Sequence, residues 1–420
     1  MRRHFPILLV LTSALVVYIL IRGPAGSGFP AMGDDLPMPP ESFHPEPDGV
    51  EVTVVAEGLE VIWGMEFAPD GRLFLTERPG RVRVVDAEGR LHPEPWLHLP
   101  EVADEGEGGL MGLALHPEFP GEPWVYLMYT ADTDEGRVNR ISRVREVDGR
   151  GGEEEILLGD LPAGVNHNGG RLRFGPDGHL YAGLGELWDR DRAQDLADPA
   201  GSILRVDATG GIPPDNPWDG SPIWAYGLRN VQGITFHPET GALFAADHGP
   251  SGEWRVPLIR HRDEINIVRR GGNYGWPLAV GAPGEPSLED PLLLFTPAAP
   301  PGDLLFYPPG GSARPEGGGD HGESPEMPSR FSEEWAGDLF FSTLRSETLI
   351  RIRFQDPHGP SEVQRWFVDE TGESVMGRLR ALAVSPDGAL YVGTSNRDGR
   401  GTVREGDDRV VRLVPRNPAP

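Results

Sequence analysis

Apolar residues along most of this chain come in short runs broken by turns, without the three-to-four spacing of an amphipathic helix. One phrase recurs: an apolar strand, a Pro-Asp-Gly or similar turn, and a second apolar strand. It reads MEFAPDGRLFLTE at 65–77, LALHPEFPGEPWVYLMY at 113–129, LRFGPDGHLYAGLGE at 172–186 and ITFHPETGALFAADHG at 234–249. FSEEWAGDLFFSTL at 331–344 is a looser copy, and LAVSPDGALYVGTSN at 382–396 is the sixth. Several strands per repeat, recurring at roughly 50–60 residues, are the pattern of a β-propeller. The sequence therefore predicts an all-β fold, a six-bladed β-propeller with four-stranded antiparallel blades. Closing the ring removes exposed strand edges, so Val52–Val55 is expected to pair beside Arg409–Leu413. A β-sandwich pair or a β-solenoid is the alternative that the pattern leaves open.

The flanks read differently. Met1-Arg2-Arg3, an apolar run from Ile7 to Ile21 and a small-residue stretch make residues 1–28 a signal peptide or signal anchor. The body is then expected to be exported, periplasmic or extracytoplasmic, with residues 7–21 as a membrane anchor if uncleaved. Residues 29–48 are Pro-rich and acidic and read as a flexible linker. The propeller domain spans 49–416. Within it, 310–327 is a Gly/Pro-rich polar stretch that reads as a flexible insertion.

Composition narrows the chemistry. A formal charge of −27 argues against nucleic acid as a partner. There is no cysteine, which excludes disulfides, thiolate metal sites and cysteine nucleophiles. All 38 basic residues are arginines, so any site needing a fixed cation must use Arg.

Residues 166–186, NHNGGRLRFGPDGHLYAGLGE, hold the first candidate site. Gly169 and Gly170 suit a tight turn or a close approach to a flat ligand. Gly175-Pro176-Asp177-Gly178 joins two strands, which places His167 and Glu186 at the same open end. A carboxylate beside an imidazole fixes its tautomer and raises its basicity, as a general base requires. The plainer reading is a surface His and a surface Glu flanking an ordinary hairpin. Glu107, Arg229-Asn230, Arg345, Arg378 and Arg380 fall at equivalent ends of the other repeats. Singly, each arginine reads as a salt-bridge partner; four at one mouth would bind a polyanionic small molecule. Asp263 and Glu264 offer hard oxygen donors that favour calcium over zinc or copper.

The motifs HNGGRLRFGPDG, YGLRNVQGITFHPETG, ADHGP, DEINIVRRGGNYGWP and GRLRALAVSPDGALYV together resemble the glucose/sorbosone dehydrogenase family. AQDLADPAGSILRVDATGGIPPDNPW at 193–218 resembles its soluble aldose sugar dehydrogenase branch. The resemblance implies pyrroloquinoline quinone (PQQ) across the channel mouth and calcium as cofactors. It implies oxidation of an aldose at C1 to the lactone, with hydride transfer to the quinone and an external electron acceptor. By motif, His167 would be the base, Glu186 its orienting acid and Arg229 the stabiliser of charge on the quinone oxygen. Arg229, Asn230, Arg345, Arg378, Arg380 and His248 would contact the cofactor. Gly249 and Pro250 would give backbone carbonyls to the cofactor calcium, and Glu264 and Tyr274 would hold a structural calcium. Glu107 and Asn166 stand where the family contacts the sugar. Three departures stand out: Leu228 replaces the usual histidine of YGHRN, the segment Ser251–Arg262 is long, and 310–327 is inserted. A non-catalytic propeller binding module and a calcium-dependent propeller lactonase or other hydrolase are the rival readings.

Overall fold

The computed structural model describes residues 30–250, 262–309, 332–356 and 359–415. They form a six-bladed β-propeller. Three strands precede the first blade: β1 (Ala31–Met32), β2 (Glu41–His44) and β3 (Val50–Ala56). Blade 1 is β4 (Ile62–Phe67), β5 (Leu73–Glu77), β6 (Arg81–Val85) and β7 (Leu97–His98); blade 2 is β8 (Leu110–Leu115), β9 (Trp124–Thr133), β10 (Gly136–Val147) and β11 (Arg150–Pro162). Blade 3 is β12 (Leu172–Phe174), β13 (Leu180–Gly183), β14 (Ser202–Val206) and β15 (Ile223–Tyr226). Blade 4 is β16 (Val231–Phe236), β17 (Leu243–Asp247) and β18 (Asp263–Val268), then, after an excursion through β19 (Ala279–Val280), β20 (Leu293–Phe295). Blade 5 is β21 (Pro301–Phe306), β22 (Leu339–Thr343), β23 (Leu349–Asp356) and β24 (Gly359–Trp366). Blade 6 is β25 (Leu379–Val384), β26 (Leu390–Thr394) and β27 (Val410–Pro415), closed by β3, with Leu413 opposite Val52 and Arg412 opposite Thr53. The expected closure is thus found.

The recurring phrase supplies the first two strands of most blades, and burial explains its apolar composition. β5, β8, β14, β17 and β22 are buried at every residue, because both faces of each pack against neighbouring blades. Aromatic side chains fill the wedges between blades. Phe74 meets Trp96 and Phe119 edge-on, with ring centroids 5.5 and 5.9 Å apart. The axis is plugged. The fully buried Arg171 guanidinium lies 4.4 Å from the Trp63 ring, donates to Gln232 O and Gly302 O, and sits 3.2 Å from Asp303. One side chain from blade 3 therefore ties blades 1, 4 and 5 together beneath the mouth.

One expectation changes. Residues 29–48 were expected to be a spacer, yet from Pro30 onward they form an ordered strap. β1 pairs in parallel with β19, and β2 pairs in parallel with β24 as a fifth strand of blade 5. An edge strand offers free N–H and C=O groups, and a polar segment with alternating exposure suffices to take them. The insertion expected at 310–327 lies outside the described residues. Pro301 pairs with Thr343 at the mouth end of blade 5 and Phe306 with Leu339 at the far end.

Candidate active site

A connection into the innermost strand of a blade and one from its second strand to its third open at the same end of a propeller. That geometry gathers His167 (before β12), Glu186 (after β13), Arg229-Asn230 (before β16), His248 (after β17) and Arg378 (before β25) at one mouth.

His167 adopts a left-handed backbone, φ 57°, a strained conformation for a residue with a Cβ. It is held there by its own N–H, which donates to Glu107 Oε2 at 2.9 Å. The ring is nearly enclosed, at 4% exposure. Nδ1 lies 2.8 Å from Oε1 of the fully buried Glu186. An ionised carboxylate only accepts, so Nδ1 carries the hydrogen and Nε2 the lone pair. The His–Glu pair is therefore real, not two surface residues flanking a hairpin. Arg229 donates from Nη2 to His167 Nε2 at 3.2 Å and from Nη1 to His248 O, and its Nε lies 3.9 Å from Glu186 Oε1. Asp247 fixes this loop by accepting the N–H groups of Arg229 and Asn230 at 2.8 and 2.6 Å. Leu228 points into an apolar cluster with Ala225 and Val231, so the departure from YGHRN removes a polar group without opening the core.

Beside this network lies a narrow cleft that opens to solvent. Asn230, His248, Arg380 and Glu107 line it, with Gln232, Asp398, Arg78 and Arg400, which the sequence did not single out. Burial pushes the Arg380 guanidinium down to about 9; it donates to Gln232 Oε1 and lies 5.5 Å from the Trp63 ring. Arg378 spends Nε and Nη2 on Asp398 Oδ2, each at 2.7 Å. Arg345 is exposed on the β22–β23 turn. Burial holds the His248 ring down at about 3, so it is neutral; Nε2–H donates to Pro301 O and Nδ1 remains an acceptor. Trp188 was also missed. Its indole stacks on the His167 ring at 4.7 Å and 16° while half exposed, and both it and Leu187 have left-handed φ.

Asp247 and Glu264 face each other across β17 and β18. Burial raises Asp247 to about 6, Asp263 to about 7 and Glu264 to about 8. Asp263 Oδ1 accepts Gly249 N–H at 2.9 Å, while Asp263 Oδ2 and Asn266 Oδ1 are buried without hydrogen-bond partners. Tyr274 commits its hydroxyl to Ile267 O and Arg269 N, so a metal would have to use its carbonyl. Among the described residues no three His, Asp or Glu side chains converge as a metal cluster. Pro250 is buried at the edge of the described residues; 251–261, where the long link falls, lie outside them.

The sequence model of the glucose / sorbosone dehydrogenase family matches residues 59–404. Aldose sugar dehydrogenase YliI of Escherichia coli K12 is 30% identical over 395 residues, covering 88% of this chain and 94% of its own. Among solved structures, a Thermus thermophilus oxidoreductase described as a glucose dehydrogenase superposes with a TM-score of 0.74 at 41% identity, over 87% of this chain and all of that one. The PQQ-bound aldose sugar dehydrogenase of Streptomyces coelicolor follows with a TM-score of 0.71 at 33% identity, over 90% and 99%.

Proposed function

Because the chain belongs to the glucose / sorbosone dehydrogenase family, we propose that it is a PQQ- and calcium-dependent aldose sugar dehydrogenase. It oxidises the sugar at C1 to the lactone and passes the electrons to an external acceptor. The observation that carries this reading is the buried His167–Glu186–Arg229 network beside an arginine-lined cleft. His167 Nε2 takes the proton of the C1 hydroxyl, while Glu186 holds the ring by Nδ1 and balances the positive charge it gains. Arg229, pre-positioned by Asp247 and enclosed by protein, places a fixed cation where negative charge develops.

The donor set fits an anionic planar cofactor: Asn230 and Arg380 line the cleft with Arg78 and Arg400, Arg229 stands beside it at His167, and His248 adds an acceptor; Arg345, exposed on its turn, and Arg378, paired with Asp398, would complete the set. PQQ, when bound, supplies the two-electron acceptor, and calcium polarises its carbonyl. The residues also fit calcium. Buried carboxylates raised by burial and unpartnered oxygens at Asp263 and Asn266 are what a hard cation relieves. Gly249 and Pro250 carbonyls would hold the cofactor calcium, and Glu264 with the Tyr274 carbonyl the structural one. A lactonase would instead gather acidic and amide ligands on the axis, where Arg171 and Trp63 stand. A binding module has no use for the strained, ion-paired His167. Export follows from residues 1–28 and is part of the same proposal.

The test uses protein beginning at Pro30, so that the strap is kept. After stripping with chelator, calcium and PQQ are returned and dye reduction is followed with a panel of aldoses, alongside His167→Ala. Turnover requiring both additions and lost in the variant is expected. Failure of PQQ to bind overturns the cofactor assignment.

A further inference from the structure

The loop between β26 and β27 sends Arg400 across the mouth. Nη1 donates to Glu107 Oε1 at 2.6 Å and Nη2 to Asn166 Oδ1 at 3.2 Å. Glu107 comes from the connection between blades 1 and 2, and Asn166 from that between blades 2 and 3, so three connections meet at one guanidinium. The reach is built, not incidental. Asp398 Oδ1 accepts Arg400 N–H at 2.9 Å while Oδ2 of the same side chain grips Arg378. Upstream, the N–H groups of Asn396 and Arg397 both go to Asp408. The base of the loop is thus fixed, while the Arg400 side chain, 57% exposed, lines the cleft.

Glu107 is tied just as closely to the base. Its Oε2 accepts His167 N–H, and its Oε1 accepts Arg400. Burial alone would raise this carboxyl, but the His167 ring and backbone N–H, with Arg400, outweigh it and hold it down at about 2. An ionised acceptor beside a guanidinium with free N–H edges matches two neighbouring hydroxyls of a sugar: one donates to the carboxylate and the next accepts from the guanidinium.

We propose that Arg400 is a substrate-binding residue that forms, with Glu107 and Asn166, a donor–acceptor clamp for a vicinal diol of the sugar. The clamp stands beside the base, since Glu107 is bonded both to Arg400 and to the backbone N–H of His167. The clamp rests on the sugar dehydrogenase reading. It predicts that substrate choice follows the hydroxyl pair beside the reacting carbon more than the far end of the molecule. A site built to hydrogen-bond a hydroxyl discriminates strongly against an analogue lacking it, because its own polar groups are then left unpaired.

The experiment compares the wild-type holoenzyme with Arg400→Ala and Arg400→Lys, using an aldose and its single-deoxy analogues, with PQQ affinity measured separately by absorbance titration. In the wild type, one deoxy position near C1 is expected to cost on the order of 10²-fold in kcat/KM. In Arg400→Ala the parent sugar's KM rises by about tenfold or more, that deoxy penalty shrinks towards unity, kcat changes little and PQQ affinity is unchanged; Arg400→Lys recovers part of the penalty. An unchanged KM and deoxy penalty in an active Arg400→Ala enzyme overturns the clamp alone. Loss of PQQ affinity in step with activity overturns it too, by placing Arg400 on the cofactor. A wild type that oxidises no sugar after PQQ binds overturns the dehydrogenase reading, and the clamp with it.

Discussion

Two halves of the mouth are built on opposite principles. On the blade 3 side, His167, Glu186 and Arg229 are 4%, 0% and 1% exposed and bonded to one another. On the blade 6 side, the Arg400 and Glu107 side chains are 57% and 23% exposed and meet across a gap between blades. The difference separates the tasks. A buried ionic network is expensive to disturb, since removing one member strands the others away from water, which suits groups that must keep one geometry through a reaction. A half-exposed pair can share its hydrogen bonds with an incoming hydroxyl at little cost, which suits recognition.

The largest effect expected from this division is in kcat. Glu186→Gln keeps the volume but no longer stabilises a charged imidazole, so kcat falls on the order of 10³-fold with KM and PQQ affinity nearly unchanged. Glu107→Gln does the opposite, raising KM by about tenfold with kcat within a few-fold. Steady-state kinetics of the two variants on one sugar check this. Equal effects on kcat and KM from both would erase the distinction between the halves.

The next effect concerns pH. Burial raises Asp263 to about 7 and Glu264 to about 8. A group raised in the folded state is protonated there while the unfolded chain has already released its proton. Without metal, the contribution of these two groups to stability is therefore fully present below the unfolded carboxylate range, about pH 4, and is lost as pH rises to about 8. Calcium displaces those protons, so its affinity should rise across the same window and its binding should release acid. Thermal melts with chelator or calcium between pH 5 and 8.5 measure both. Calcium stabilisation that does not change with pH would mean that these carboxylates are not where the ion acts. Glu107, held low, should leave the sugar KM flat over this range.

The two halves also differ in how far they could be read from the sequence. His167 and Glu186 belong to one hairpin, and a Pro-Asp-Gly turn between alternating strands fixes their common end; the repeat of that turn fixes the blade number as well. Arg400 meets a partner 293 positions away, and nothing local distinguishes it from other arginines in an acidic chain. Asp398 was hidden for the same reason. Arg171 stood in the HNGGR motif, but only ring closure shows it plugging the axis. The strap was misread because a Pro-rich segment carries no strand pattern of its own, and its pairing is supplied by the edges of blade 5 and β19. Trp188 gave no periodic signal, since two successive left-handed residues bring it over the base.

That strap sharpens the comparison from outside. Arg262, next to Asp263, donates to Gly33 O at 2.9 Å and pairs with Asp35 at 2.9 Å, and Arg365 pairs with Glu41. β1 also props the segment carrying Trp276, whose ring lies 5.4 Å from the Arg229 guanidinium. Beginning the protein at residue 46 instead of 30 should cost about 1–3 kcal/mol in stability and weaken calcium binding, while the sugar KM stays close to wild type. Denaturant melts and calcium titration of the two forms test it. A change in sugar KM with calcium affinity intact would place the strap's influence on the other half.

Trp188 sits on the border and should give the smallest effect. One face of its indole covers the imidazole, and the Arg229 guanidinium is 5.8 Å from the ring, so it shields the buried network. The indole is also 51% exposed. Left-handed backbone at Leu187 and Trp188 costs on the order of 1–3 kcal/mol per residue and persists only where the surroundings enforce it. If the ring chiefly shields the base, Trp188→Ala admits water beside His167 and lowers kcat by about three- to tenfold, and Trp188→Phe restores it because a flat ring can still stack. If it chiefly receives the sugar, KM carries the change instead, and Phe restores less because its smaller ring covers less of the substrate. The parallel stack on His167 favours the first outcome, which would place Trp188 with the buried half despite its exposure.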